Sequence, residues 1–184
     1  MTHAAAPQTA RHILCMKWGR KYGPEYVNRL YGMARRHLQG DFRFICLTDD
    51  ASGIRPEVQC LPIPPLALPP GIPERGWTKL TTFSRSLCDE YGLRGTALFL
   101  DIDVVSLDEF FTQPGEFLII HDYKRPWRIT GNSSVYRFEL GAHPDVLEHF
   151  RTHFESIRRQ FRNEQAYLSD FLHRQGRLAY WPAQ

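Results

Sequence analysis

The sequence contains no C-x-x-C pair: its four cysteines, Cys15, Cys46, Cys60 and Cys88, stand far apart in the chain. That spacing removes the signature of a zinc ribbon or a dithiol redox centre. Cys15 and Cys46 fall inside apolar runs, where a free thiol behaves as a small hydrophobe, and a reducing compartment is the matching expectation. Long hydrophobic runs are missing too. No stretch approaches the roughly 20 apolar residues of a membrane span, and residues 1–10 lack the apolar centre of a signal peptide. The cytoplasm is therefore the expected location, with 1–10 read as a disordered tail and 11–184 as a single domain. An excess of one charge is also absent. A net charge of +3 over 184 residues is too small to argue for a nucleic-acid partner. No internal repeat is present, and low complexity is confined to a proline-rich stretch.

What remains has the composition of a globular domain: 42% hydrophobic and 23% charged residues in 21.5 kDa, enough for one substantial core. Residues 12–18 read as a first strand ended by Gly19. Pro24 then opens a helix whose apolar positions Tyr26, Val27, Leu30, Tyr31, Ala34 and Leu38 recur at helical spacing, stopped by Gly40. Residues 42–48 form a second strand ending on Asp49 and Asp50. A strand–helix–strand unit of this kind predicts a parallel pair with a right-handed crossover. Residues 58–63 give a weaker third strand, and six prolines between 62 and 73 impose a stiff surface loop. A helix carrying Leu80, Phe83, Leu87 and Tyr91 is expected next, capped by Thr78 and closed by Gly92. Residues 116–121 are another strand, 131–134 a turn, and 135–140 a partly exposed strand. Pro144 opens a long helix with a Val146, Phe150, Phe154, Ile157 and Phe161 stripe. Asn163 caps a last helix, Gly176 ends it, and a short 178–181 segment follows.

Between these elements lies the stretch around which the chain is organised, residues 97–105. Four apolar residues run into Asp101 and Asp103, separated only by Ile102. The apolar run reads as a buried central strand. Side chains alternate along a strand, so both carboxylates belong to one face. Two carboxylates are costly in a core, which places them at the strand's carboxyl end, where open α/β sheets bind ligands. Hard oxygen donors so arranged suit Mg²⁺ or Mn²⁺ sharing its other positions with phosphates. The competing reading is a solvated strand end.

Other pieces accompany this D-x-D in order. They are the segment from Lys17-Trp18-Gly19 through Tyr22 to Asn28, with Leu47-Thr48-Asp49-Asp50 after the next strand; Gly76-Trp77-Thr78-Lys79-Leu80; Asn132-Ser133-Ser134-Val135; and, more weakly, Glu164-Gln165. Taken together they resemble nucleotide-sugar-dependent glycosyltransferases of the GT-A fold, near the family 8-like bacterial enzymes. The resemblance implies a single α/β domain with a mostly parallel, Rossmann-like sheet flanked by helices. It implies sugar transfer from a nucleotide-sugar donor, a UDP-sugar first, to a glycan or other acceptor. Asp101 and Asp103 would hold Mn²⁺ (or Mg²⁺), with Asp101 also facing the donor. Trp18 and Tyr22 would lie near the nucleobase, Asp49 near the ribose or base, and Lys79 near the diphosphate. Asn132 and Gln165 would contact the transferred sugar as the candidate catalytic-site residues; no side chain is assigned as nucleophile or base. Retention of configuration is expected by analogy alone. The resembling enzymes carry a further C-terminal element whose His completes the metal site. This chain ends at Trp181-Pro182-Ala183-Gln184 without it. The expectation is a chain that is either naturally short or trimmed, with metal affinity depending on oxygens from the nucleotide.

Bland readings stand beside these. Trp18 and Tyr22 serve equally as packing aromatics, Lys79 as a solvated helix residue, Asn132 as a turn former, and Gln165 as an ordinary first-turn residue. His121 and Asp122, at a strand end, read as structural rather than as extra ligands. Two rival functions are also open. One is a degenerate glycosyltransferase-like domain that binds without turnover and covers its exposed edge by forming a homodimer. The other is a haloacid dehalogenase-type phosphatase, with Asp101 as nucleophile and Asp103 as acid/base. That chemistry needs a downstream Lys, for which only Lys124 is available, and a later acidic pair that the sequence does not supply.

Overall fold

The computed structural model describes residues 10–102, 111, 113–122 and 127–182. Its first half follows the expected alternation: strand β1 at Arg11–Lys17, helix α1 at Pro24–His37, strand β2 at Arg43–Thr48 and a short strand β3 at Gln59–Leu61. Pro24 and Glu25 stand in the first turn of α1, and Arg35, Arg36 and His37 in its last. Both ends therefore complement the helix dipole. A 3₁₀ helix (Arg75–Phe83) and helix α2 (Ser86–Asp89) lead into strand β4, Thr96–Leu100. Strands β5 (Phe117–His121) and β6 (Gly131–Glu139), helices α3 (Pro144–Gln160) and α4 (Glu164–Arg174), and strand β7 (Leu178–Tyr180) complete the chain.

The seven strands form one sheet in the order β3-β2-β1-β4-β6-β5-β7. β1 pairs parallel with β2 and β4, β2 with β3, and β5 with β7; β6 alone runs antiparallel to its neighbours. The expected α/β class with a mostly parallel sheet between helices is the observed one. Period-2 alternation divides the core accordingly. Ile13, Cys15, Cys46, Leu98 and Leu100 face α1 and its Val27, Leu30 and Ala34. Leu14, Met16, Leu47, Phe99 and Phe117 face the opposite layer, where the 3₁₀ helix, α3 and α4 contribute Trp77, Phe83, Phe150 and Tyr167. Each fully buried side chain of this size contributes about 1.5–3 kcal/mol. On that second face the rings of Phe99 and Tyr136 stack at 4.7 Å, and Trp77 stacks on Phe150 at 4.9 Å.

Two local expectations are revised and a third is refined. The single helix expected from Thr78 to Tyr91 is a 3₁₀ helix followed, after the extended Ser84, by a one-turn α2. Leu80, Phe83 and Leu87 are buried as the periodicity required. However, the hydroxyls of Thr78, Thr81 and Thr82 donate to the carbonyls of Arg75, Thr78 and Lys79, three residues back. Side chains that compete for backbone acceptors in this way favour the tighter winding. Thr78 therefore lies inside the element and does not cap it. The proline stretch has no regular structure, as expected, but it is anchored: Leu66 is fully buried and Arg151 donates to the carbonyls of Pro65 and Leu66. The turn expected at 131–134 is the start of β6. Asn132 Oδ1 still accepts from Ser134 N in a local turn-like bond, and the register shifts between Ile119 and Ile120 opposite it. The turn signal thus encodes a β-bulge. A Cβ on Gly131 would approach Ile119 Cγ2 to 2.5 Å, which explains the glycine.

Candidate active site

The carboxyl ends of the parallel strands β1 and β4 point the same way, and the N-terminal end of the antiparallel β6 arrives beside β4. Asp101 N donates to Ser134 O at 2.8 Å, fastening the end of β4 to β6. The 3₁₀ helix and the first turn of α4 close the other side. The result is a cleft of about 290 Å³ whose lining includes Trp18, Tyr22, Gly76, Lys79, Asp101 and Glu164. It lies at the carboxyl edge of the sheet, where α/β folds collect ligands.

Lys79 is the hub of this cleft. Its Nζ stands 3.0 and 3.1 Å from the two oxygens of Asp101 and 3.3 Å from both the carbonyl and the hydroxyl oxygen of Ser133. Glu164 Oε1 is 3.8 Å away and accepts from Ser133 Oγ at 2.9 Å. The same ammonium lies 5.5 Å from the centre of the Phe99 ring. The side chains of Lys79 and Glu164 are only 11% and 12% exposed, while that of Asp101 is 31% exposed and opens to the cleft. Two carboxylates sharing one cation leave a net negative pole with a positive centre, in a partly desolvated setting where charge interactions exceed their strength in water.

At the other wall, Trp18 is 39% exposed, so it is not a packing residue of the core. It precedes Gly19, whose φ of +65° lets the chain turn away from β1. Asp49 Oδ2 accepts from Gly19 N at 2.9 Å and fixes that turn. Tyr22 meets Tyr26 edge to face at 5.0 Å, and Lys21 Nζ lies 4.9 Å from the Tyr22 ring. The rings of Trp18 and Tyr22 are thereby presented to the cleft.

Of the residues singled out from sequence, Trp18, Tyr22, Lys79 and Asp101 come together here. Asp49 supports the wall from behind. Asn132 is exposed and bonded to its own turn, while Gln165 Oε1 accepts from Ser133 N at 3.4 Å. Neither side chain is in the cleft lining. Asp103 and Lys124 lie outside the described residues. The lining residue that the sequence does not single out is Glu164: the Glu164-Gln165 pair points to Gln165, yet Glu164 is the one that lines the cleft. An acidic residue opening a helix is so often explained by the helix dipole that it conceals a site carboxylate. Gly76 is a second such residue, since a Cβ there would lie 3.2 Å from Glu164 Oε2.

Fit to a divalent metal can be tested on these donors. Among the described residues no group of three or more His, Cys, Asp and Glu converges. The described donor is one half-open carboxylate, Asp101, with both oxygens held by Lys79. Such a set is too small for an all-protein cage. It fits Mg²⁺ or Mn²⁺ bound through one or two carboxylates and completed by substrate phosphates.

No family model matches the sequence, and no curated protein matches it. Among solved structures, the galactosyltransferase LgtC, crystallised in complex with donor and acceptor sugar analogs, superposes with a TM-score of 0.62 at 15% identity. The match covers 92% of this chain and 72% of that one. None of the helices, among the described residues, is long and apolar enough to cross a membrane. The chain has the GT-A glycosyltransferase fold.

Proposed function

We propose that this protein transfers a sugar from a nucleotide-sugar donor, a UDP-sugar first, to a glycan or other hydroxyl-bearing acceptor. The observation that carries the reading is the cleft at the ends of β1 and β4, where the exposed Trp18 and the half-buried Tyr22 stand on one wall and the Lys79–Asp101–Glu164 cluster on the other. Trp18 and Tyr22 offer flat apolar faces for a base. Lys79 offers a point charge for a diphosphate. Asp101, with Asp103, would hold Mn²⁺ or Mg²⁺, which supplies Lewis-acid stabilisation of the charge growing on a departing nucleoside diphosphate. With a donor in the cleft, Lys79 would exchange Asp101 for phosphate oxygens, leaving that carboxylate available to hold a cation. Glu164, held by Ser133 Oγ and largely dehydrated, is positioned to accept a hydrogen bond from a sugar hydroxyl. Asn132 and Gln165 shape the adjacent β6 edge through their backbone bonds.

A second reading is a nucleotide-binding domain without turnover. The observation favouring it is the grip of Lys79 on both Asp101 oxygens, which a metal must displace. One experiment separates the two: calorimetric titration of UDP with and without Mn²⁺ on the wild type, Asp101→Asn and Asp103→Asn, followed by assay of UDP release from UDP-sugars. Metal-dependent binding weakened more than tenfold by either substitution, with UDP release, is the expected result. Binding without release gives the binder. Absent binding of UDP and of GDP under all conditions removes both readings.

A further inference from the structure

A second cavity, of about 400 Å³, opens between α3 and α4, and His149 and His153 both line it, together with Tyr167, Asp170 and Phe171. The two histidines are four residues apart on one helix, both exposed, with ring centroids 4.5 Å apart and planes inclined by 28°. Their tautomers follow from their partners. Tyr167 gives its single hydroxyl proton to Val146 O at 2.8 Å, so it can only accept from His149 Nδ1, at 3.1 Å. His153 Nδ1 faces the carbonyl of His149 at 3.1 Å and must likewise donate. In the neutral form each ring therefore carries its proton on Nδ1 and leaves the Nε2 lone pair uncommitted among the described residues. A ring held by its Nδ1–H, with Nε2 free, is the outer-sphere arrangement of metal-binding histidines. Two of them at i and i+4 on one helix face form a chelating pair.

We propose that His149 and His153 bind a divalent transition ion that favours imidazole, of the Zn²⁺ and Ni²⁺ class, through their two Nε2 atoms. No third His, Cys, Asp or Glu converges on them among the described residues, so the remaining coordination positions go to water or to a ligand in the cavity. Asp170, on the same lining, is paired with Arg174 at 2.9 Å. Burial and the neighbouring His153 both hold the His149 pKa below its ordinary value, keeping the ring neutral and ready to coordinate. The backbone adds a consequence. His153 departs from helical geometry (φ −122°, ψ 22°), so α3 bends there, and a metal joining residues 149 and 153 would clamp the helix across its bend. This site is independent of the donor cleft and does not rest on its assignment.

The test is a Zn²⁺ titration by calorimetry in an Asp101→Asn background, which silences the carboxylate of the cleft. One equivalent should bind. His149→Gln and His153→Gln should each weaken it at least tenfold, and His173→Gln should leave it unchanged. Absence of binding, or undiminished binding in the His149→Gln/His153→Gln double variant, overturns the proposal. A measurement on the unaltered chain guards against variants that fail to fold. Ni²⁺ at low equivalents should broaden the ring resonances of two of the eight histidines first, and broadening centred on other histidines discards the site.

Discussion

The strand-end cleft and the α3–α4 cavity are served by the same helix, α4, yet they treat their polar atoms in opposite ways. In the cleft, Glu164, Asp101, Ser133 and Lys79 satisfy one another at 2.9–3.8 Å. In the cavity, three residues further along α4, Tyr167 anchors His149 through Nδ1, and the opposite nitrogens of the His149 and His153 rings remain open among the described residues. A ligand entering the cleft must therefore exchange existing partners, which makes binding sensitive to charge and selective for groups that replace them. A ligand that takes the two Nε2 atoms breaks neither of the Nδ1 bonds that hold the rings.

The largest effect should come from the residue that joins the two regions. Trp77 belongs to the 3₁₀ helix that carries Gly76 and Lys79 to the cleft. It stacks on Phe150 and stands 6.3 Å from Tyr167, which lines the cavity. Its side chain is almost wholly buried. Trp77→Ala should destabilise the fold by about 3–5 kcal/mol, measured by urea denaturation, because it removes the transfer energy and leaves a void. Both UDP and Zn²⁺ binding should weaken with it. Loss at only one site would mean that the two regions are mechanically separate.

Lys79→Met comes next, and it should break the symmetry of the comparison. The substitution keeps the stem but leaves the carboxylates of Asp101 and Glu164 without their cation. Removing one partner of a desolvated charged group costs on the order of 1–3 kcal/mol. Glu164 is the more buried carboxylate, so a second substitution, Glu164→Gln, should recover part of that stability. Zn²⁺ binding at the histidines should be untouched while UDP binding falls. A double variant no more stable than Lys79→Met would show that the cluster's energy lies elsewhere, in the Ser133 bonds.

Much of this was legible from sequence because burial speaks in periods. The β1–α1–β2 unit and β4 read as apolar runs and stripes, while the pleat fixes only the face of each side chain and the register, Cys15 opposite Cys46, is seen in the structure. The Asp101 position followed from the cost of burying charge. What was not legible depended on competing local bonds. Thr78, Thr81 and Thr82 carry a helical pattern of neighbours, yet their hydroxyls tighten the backbone into a 3₁₀ helix. Asn132 signals a turn and delivers a bulge, because pairing with β5 outweighs the turn preference. Glu164 was hidden for a different reason: its helix-start role and its place in the cleft use the same residue type. Nothing in the sequence indicates that Tyr167 returns to fix the His149 ring, so the His149–His153 pair carries no signal beyond its place on an amphipathic helix.

The smallest expected effect sharpens the question of what positions α4 itself. Asn163 Oδ1 accepts from Ala166 N at 3.2 Å, capping the helix immediately before Glu164. The first turn is then held by this cap, by the bonds from Ser133 Oγ to Glu164 and from Ser133 N to Gln165, and by the Lys79 ammonium beside Glu164. Asn163→Ala should cost about 1 kcal/mol, Asn163→Gly a few tenths, and Asn163→Asp close to nothing, the ranking of residues at an N-cap. Urea midpoints at constant slope would measure it. If the cap also aims Glu164, UDP-sugar affinity should follow the same ranking while Zn²⁺ affinity, decided a turn or more away, stays level. If alanine and asparagine prove equally stable, the helix start is held by Ser133 and the sheet behind it, and Glu164→Gln should then cost more stability than the loss of the cap.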